Sequence, residues 1–348
     1  MPLFRGMKRK GAILLPGVIL SSLLFAACDN SPSIIEPKGF VAGQESWLFW
    51  IILAVATLIF VIVESLLIYS IVRFRERPNT PAPEQIHGNN TLELLWTVIP
   101  SIFLFIVLFL TIRTMFALAQ PNSSNKVVIT AHAHQWWWEF DYQNQHITTA
   151  DTLHVPANTT IQVNLFSDNV IHSFWVPQLT GKTDVVPGHD NHLWFNADQP
   201  SSTFYEGACA EFCGDQHAHM RFDVKVDSAD DFNTWVSQQQ AKAQTPSDSL
   251  AAKGQQLFAK GACTGCHGIV GVNLTSFDDP KAASLIGPNL THFGSRDLIA
   301  GGVLTNTNAN LATWLHDPQA VKSGNDMPNL NLSDSDIQAL VAYLESLK

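Results

Sequence analysis

The sequence predicts a multidomain membrane protein: a two-helix transmembrane hairpin, an all-β Greek-key domain and a C-terminal all-α domain. Three observations predict it. Residues 47–72 and 94–112 are two apolar runs, the first holding one charge and the second none. Residues 126–226 break into short segments rich in Val, Ile, Thr and aromatics, punctuated by Pro, Gly, Asn and Asp. The last hundred residues, roughly, return to helical periodicity around a single C-x-x-C-H motif.

Charge divides the 348 residues unevenly. From Pro121 onward there are 23 Asp+Glu against 11 Lys+Arg, and before it 7 against 9. An acidic soluble body argues against nucleic acid as the partner and suits a basic protein partner. The five cysteines, Cys28, Cys209, Cys213, Cys263 and Cys266, each fall inside a short motif, so no disulfide framework is expected. Beyond Met115 the only methionines are Met220 and Met327.

Residues 1–28 read as a secretory signal. Arg5, Lys8, Arg9 and Lys10 precede an apolar stretch that ends in small residues. LFAAC resembles a lipoprotein lipobox, with Cys28 the candidate acylated residue and Phe25 standing where Leu is usual. Residues 29–120 hold the hairpin, with spans at about 47–72 and 93–117, each long enough to cross roughly 30 Å of hydrocarbon. Arg73, Arg75 and Arg77 follow the first span, so the connecting loop is cytoplasmic and everything after about residue 120 lies on the outer face. Trp47, Trp50 and Trp96 suit the interfacial belt. Glu64, a carboxylate inside a span, is a functional candidate by its cost alone, and Glu93 opens the second span.

Residues 121–228 form the β-domain, by strand count and spacing a sandwich or Greek-key barrel. Near its end, CAEFCGDQHAHM (209–220) crowds two Cys, two His, a Glu and a Met onto one loop. Three metal sites are compatible. Structural zinc would take two Cys and two His and leave Met220 idle. A mononuclear blue-copper site would take Cys213, His217, Met220 and an upstream His172, and leave Cys209 idle. Two thiolates bridging a copper pair would use every soft ligand, with one His on each metal.

VIHSFWVP, GKTDVVPG and CAEFCGDQHAHM closely resemble the CuA domain of cytochrome c oxidase subunit II, and LELLWTVIP resembles its second membrane span. The resemblance implies a cupredoxin-like fold and a binuclear copper CuA centre held by His172, Cys209, the Glu211 carbonyl, Cys213, His217 and Met220. It implies a magnesium ion through the Glu211 carboxylate at the subunit I border, and a place for Glu93 at the mouth of a proton channel. In HQWWWEF it makes Trp136 the electron relay, while strand alternation puts Trp136 and Trp138 on one face and Trp137 on the other. His219 has no counterpart among the ligands.

Residues 229–249 read as a short helix running into a polar linker. In residues 250–348, Cys263, Cys266 and His267 form a c-type haem attachment motif, giving one covalent haem c with His267 as an axial ligand. Met327 is the expected sixth ligand over His292 and His316, and a His/Met pair suits electron transfer. IGPNLTHFGSR resembles class I cytochromes c fused to such subunits. Ser333 and Asp336 cap a closing helix whose apolar stripe is Ile337, Leu340, Val341 and Leu344.

The expected function is the electron-input subunit of a proton-pumping, caa-type cytochrome c oxidase in a bacterial inner membrane, its soluble domains on the periplasmic or outer face. Electrons would pass from cytochrome c or another respiratory donor through haem c and CuA to haem a of subunit I. Subunit I and other oxidase subunits would be its partners. With two spans and no set of intramembrane histidines, this chain would not itself reduce oxygen. A CuA-bearing subunit of a nitric oxide reductase and a freestanding membrane-anchored carrier remain as alternatives. A quinol oxidase subunit is disfavoured because the ligands of CuA are all present.

Overall fold

The computed structural model describes residues 33–76, 78, 85, 87–119, 121 and 126–348. The signal segment with Cys28, and Arg77 of the connecting loop, lie outside the described residues.

Helices α1 (Phe40–Arg73) and α2 (Asn90–Leu118) form the hairpin. Asn89 caps α2, its side chain accepting from the Thr91 and Leu92 amides at 3.0 and 3.2 Å. At 34 residues α1 is longer than the bilayer needs. It begins seven residues before the expected span, where Val41, Ala42 and Ser46 are buried. Those first turns root the hairpin in the β-domain. The Phe40 amide donates to Asn196 Oδ1 at 3.0 Å, and Trp194 Nε1 donates to the Leu118 carbonyl at 2.7 Å. Below this root both helices present apolar side chains all round. Such faces are satisfied by lipid or by other membrane helices.

The β-domain packs two five-stranded sheets face to face. One has the order β3 (Ile147–Ala150), β2 (Trp137–Tyr142), β1 (Lys126–His134), β5 (Thr160–Ser167), β8 (Asn191–Phe195). The other runs β4 (Thr152–Pro156), β10 (Arg221–Asp227), β9 (Tyr205–Cys209), β6 (His172–Trp175), β7 (Thr183–Val185). The pairs β1/β5 and β4/β10 are parallel and the rest antiparallel. Inward residues alternate along the strands, Ile129, Ala131 and Ala133 on β1 and Ile161, Val163 and Leu165 on β5, as a sandwich requires. Gly207 is obligatory because the Phe222 ring fills the space a Cβ would take.

Two sequence expectations change here. HQWWWEF is not one extended strand: β1 ends at His134, and Gln135 and Trp136 make the turn into β2. Trp136 therefore does not share a strand face with Trp138, which is fully buried between the sheets. Second, α3 (Ala229–Gln239), capped by Ser228, belongs to the β-domain rather than to a linker. Phe232 joins its core, and Trp235 stacks on His154 at 4.4 Å.

The C-terminal domain is built on α4 (Ser249–Lys260), α5 (Asn308–His316), the short α6 (Pro318–Val321) and α7 (Asp334–Ser346), with a two-stranded ribbon of β11 (Leu298–Ile299) and β12 (Leu304–Thr305). Helices α4 and α7 cross at Gly254, where a Cβ would overlap the Ala339 carbonyl. Phe258, Leu340, Tyr343 and Leu344 fill the crossing. Ser333 and Asp336 cap α7, the Asp336 amide donating to Ser333 Oγ at 3.3 Å.

Candidate metal and haem centres

The end of β9, the start of β6 and the loop 210–220 converge at one edge of the sandwich. Two backbone bonds set this loop: the Cys209 amide donates to the Met220 carbonyl at 3.0 Å and the Ala210 amide to the Ser173 carbonyl at 2.9 Å. They bring His172 of β6 onto residues about forty positions later in the chain. His172 Nδ1 lies 3.7 Å from Cys209 Sγ, and Cys209 Sγ lies 3.8 Å from Cys213 Sγ. Cys213 Sγ is 3.6 Å from His217 Nδ1 and 3.9 Å from Met220 Sδ. The Glu211 carbonyl oxygen closes the group, 3.2 Å from Cys209 Sγ. Five side chains and one carbonyl thus gather around the two sulfurs, with the ligand atoms of His172, Cys209 and Cys213 all within 4.8 Å of one another and Cys209, Cys213, Met220 and His172 buried.

The electrostatics favour a cation there. The paired thiols share their acidity: Cys209 is pulled well below the usual thiol range by its bond with Cys213, and that same bond pushes Cys213 up. A thiolate pair so close is costly without a positive charge between or beside it. His172 is oriented for coordination, since its Nε2 lies 3.0 Å from Asn169 Oδ1, leaving Nδ1 toward the sulfurs. The Glu211 carboxylate and Phe212 point outward, both exposed. His219 turns away, its Nδ1 2.6 Å from Gln216 Oε1.

Trp136 sits against this group from the other side. Its Nε1 donates to the Cys213 carbonyl at 3.0 Å, and Gln135 Nε2 donates to the same oxygen at 2.7 Å. Gly214, with φ of +117°, leaves room for the Trp136 ring.

In the C-terminal domain Cys263, Cys266, His267 and Met327 line one cavity. His267 Nδ1 lies 3.0 Å from the Pro288 carbonyl, so its Nε2 faces the cavity, and burial lowers its pKa to keep the ring neutral. A side chain on Gly287 would collide with that ring. The Met327 loop is braced by Gln319 Nε2 on the Met327 carbonyl at 2.9 Å and by Asn325 Oδ1 on its amide at 2.8 Å. His292 instead points to the Ala241 carbonyl at 3.0 Å, and neither it nor His316 lines the cavity.

The chain matches the family descriptions "Cytochrome C oxidase subunit II, transmembrane domain" over residues 41–114, "Cytochrome C oxidase subunit II, periplasmic domain" over 144–227 and "Cytochrome c" over 251–348. It is 36% identical to cytochrome c oxidase subunit 2 of Alkalihalophilus pseudofirmus, over 94% of both chains. The chain belongs to the cytochrome c oxidase subunit II family. A second relative, cytochrome c oxidase subunit 2 of Bacillus sp. strain PS3, is 37% identical over 94% of this chain and 95% of its own. Quinol oxidase subunit 2 of Bacillus subtilis is 31% identical over 69% of this chain and 75% of its own. The crystal structure of the periplasmic domain of subunit II of cytochrome oxidase from Bradyrhizobium japonicum aligns with 27% identity over 34% of this chain and 95% of that one, at a TM-score of 0.32.

This subunit is the point of electron input into a terminal oxidase, an oxidoreductase complex it forms with other oxidase subunits. Its three parts are the expected two-helix hairpin, cupredoxin-like domain and cytochrome c domain. The family carries copper and haem c. Sequence reasoning missed the residues that position the candidate ligands, Asn169, Gln135, Pro288 and Gln319, and also Lys322, which bonds across the two domains. Only Lys322 gave a signal, as one of 11 Lys+Arg in an acidic soluble body.

Proposed function

We propose that the cluster of His172, Cys209, Glu211, Cys213, His217 and Met220 is a binuclear CuA centre, fed by a haem c on Cys263 and Cys266. Two copper ions and one haem supply reversible one-electron chemistry. The observation that carries this reading is the set of sulfur and nitrogen contacts of 3.6–3.9 Å around both cysteines, with the Glu211 carbonyl alongside. Neither a single zinc nor a single blue copper has use for all six groups.

The chain's residues then divide the work. Cys209 and Cys213 would hold the copper pair through their sulfurs, and charge shared over two metals would keep the rearrangement on electron arrival small. His172 and His217 each present Nδ1, and the Glu211 carbonyl and Met220 would supply the remaining ligands. His267 and Met327 would hold the haem iron, a ligand pair that favours electron transfer over oxygen binding. Trp136, wedged between the haem cavity and the Cys213 carbonyl, relays the electron. The exposed Glu211 carboxylate is the candidate magnesium ligand at the border with subunit I. Glu93 is the candidate mouth of a proton channel, and Glu64 a candidate contact to another membrane subunit. Cys28 is the candidate lipid anchor. The chain spans a bacterial inner membrane with both soluble domains outside, taking electrons from a cytochrome c or a similar donor.

The test is the copper-to-haem ratio of the purified complex, corrected for copper in subunit I, with electron paramagnetic resonance of the copper. Two coppers per haem in this chain, with one electron hole shared over both nuclei, is the expected result. One copper, or zinc, would overturn it.

A further inference from the structure

The seam between the cupredoxin and cytochrome domains contains a feature that neither metal centre requires. Lys322, five residues before Met327, is 3% exposed. Its ammonium donates to three backbone carbonyls: Trp136 at 2.6 Å, His219 at 2.9 Å and Ala300 at 3.0 Å. Two of the three belong to the other domain, one on the turn carrying the relay tryptophan and one on the copper loop. A lysine has three donors, and all are used.

A second contact reaches the same place from the ribbon. Ala300, Gly301 and Gly302 all have positive φ, +59°, +69° and +81°. This turn lies flat on the cupredoxin domain. A Cβ on Gly301 would overlap the Lys322 ammonium and stand 2.5 Å from the Trp136 carbonyl, and one on Gly302 would stand 2.8 Å from the Arg221 carbonyl. The Arg221 amide donates to Gly301 O at 3.3 Å, and Gln216 Nε2 donates to Ser323 O at 2.7 Å. Loop residues 216 and 219 and the first residue of β10, Arg221, thus contact the cytochrome domain on both sides of Met220.

We propose that Lys322, with the Ala300–Gly302 turn, is a latch that fixes the register of the cytochrome domain on Trp136, so that electrons cross a closed seam. A buried ammonium that has left water gains little net stability from its new bonds, but it tolerates no misalignment. A shift of about an ångström would leave it buried without its acceptors. Lys322 is therefore a positioning residue, acting through the backbone of Trp136. The step it serves is balanced: ferrous haem loses one electron and becomes ferric, and the copper centre gains it, with no proton moved.

The inference rests on the electron path proposed above, and the experiment separates the two. Lys322→Met and Gly301→Val are made in the assembled oxidase. Haem oxidation and copper reduction are followed after a flash of photoreductant, and amide exchange is measured at residues 135–137, 217–221 and 299–302. Haem content, both optical spectra and the rate at which an external donor reduces the haem should match the parent. Haem-to-copper transfer should slow about tenfold or more, the equivalent of one charged hydrogen bond, and exchange along the seam should rise. Parent-like transfer in both variants, or unchanged exchange along the seam, overturns the latch. Should Lys322→Met fail to assemble, Gly301→Val, which keeps the lysine, decides alone. No haem-to-copper transfer in the parent enzyme would sink the electron path instead, while the exchange result, which needs no metal, would still judge the latch.

Discussion

Asn169 holds His172 by its far ring nitrogen, so Nδ1 is left toward the sulfurs by a residue outside the proposed copper ligands. Asn169→Leu should cost roughly 10- to 100-fold in copper affinity while leaving haem attachment intact, measured by copper retention against a competing chelator. Met220→Leu acts one step closer, on a proposed copper ligand. It should change the copper spectrum and slow electron transfer with the haem spectrum untouched, and equal loss of both centres would sink the two-site assignment. Glu139 carries a pH dependence. Burial first, then Asp141, push its carboxyl from 4.5 up to about 7, against the nearby Arg296. The folded chain holds this proton more tightly than the unfolded one. Stability from this group is therefore greatest below about pH 4.5, falls as the pH rises to about 7, and is flat above that. Glu139→Gln should remove that slope and gain about 2 kcal/mol near pH 8, read by denaturant unfolding of the chain at about pH 5 and pH 8. An unchanged slope would mean that water reaches the carboxylate.

At the scale of elements, close crossings and caps decide where side chains end up. Helices α4 and α7 meet with only a hydrogen between the Gly254 backbone and the Ala339 carbonyl. Gly254→Leu should push the helices apart at a cost of about 3 kcal/mol or more, so that haem is lost while copper is retained. The check is the haem-to-copper ratio of the purified variant. Helix α1 illustrates a different rule. Its apolar run was legible, but its first seven residues were not, because Val41, Ala42 and Ser46 are buried by the cupredoxin domain and not by lipid. The turn at Gln135 and Trp136 was hidden for a similar reason. Three consecutive tryptophans read as strand, and only the pairing of His134 with Trp137 across β1 and β2 shows that the chain has already reversed.

For the whole molecule, the acidic surface and the buried seam predict opposite responses to salt. A basic donor of the proposed kind would meet the acidic surface through water, so its second-order reduction of the haem should slow as salt is raised. The haem-to-copper step crosses contacts already closed and desolvated, so its first-order rate should not move. Stopped-flow and flash measurements at low and high salt check both. A haem-to-copper rate that fell in parallel with the donor rate would mean that the domains meet anew at each turnover. The exposed contact between His146 Nδ1 and Asp278 Oδ2, 2.8 Å long at the edge of the same seam, adds little to either.

The sequence by itself determined the family and the kinds of ligand on offer. Ligand types are covalent facts, and scarce Cys, His and Met residues in close spacing mark candidate metal and haem groups without coordinates. Apolar run length and strand or helix periodicity determined the three-part architecture in the same direct way. Only the tertiary structure decided which residues hold those ligands and how the two soluble domains meet. His172 reaches Cys209 because β6 and β9 are neighbours in a sheet, and Lys322 reaches Trp136 across 186 positions of chain. Such contacts have no local periodicity or propensity to announce them. They arise from burial, which forces every desolvated donor, including an ammonium, to find its acceptors wherever the fold places them.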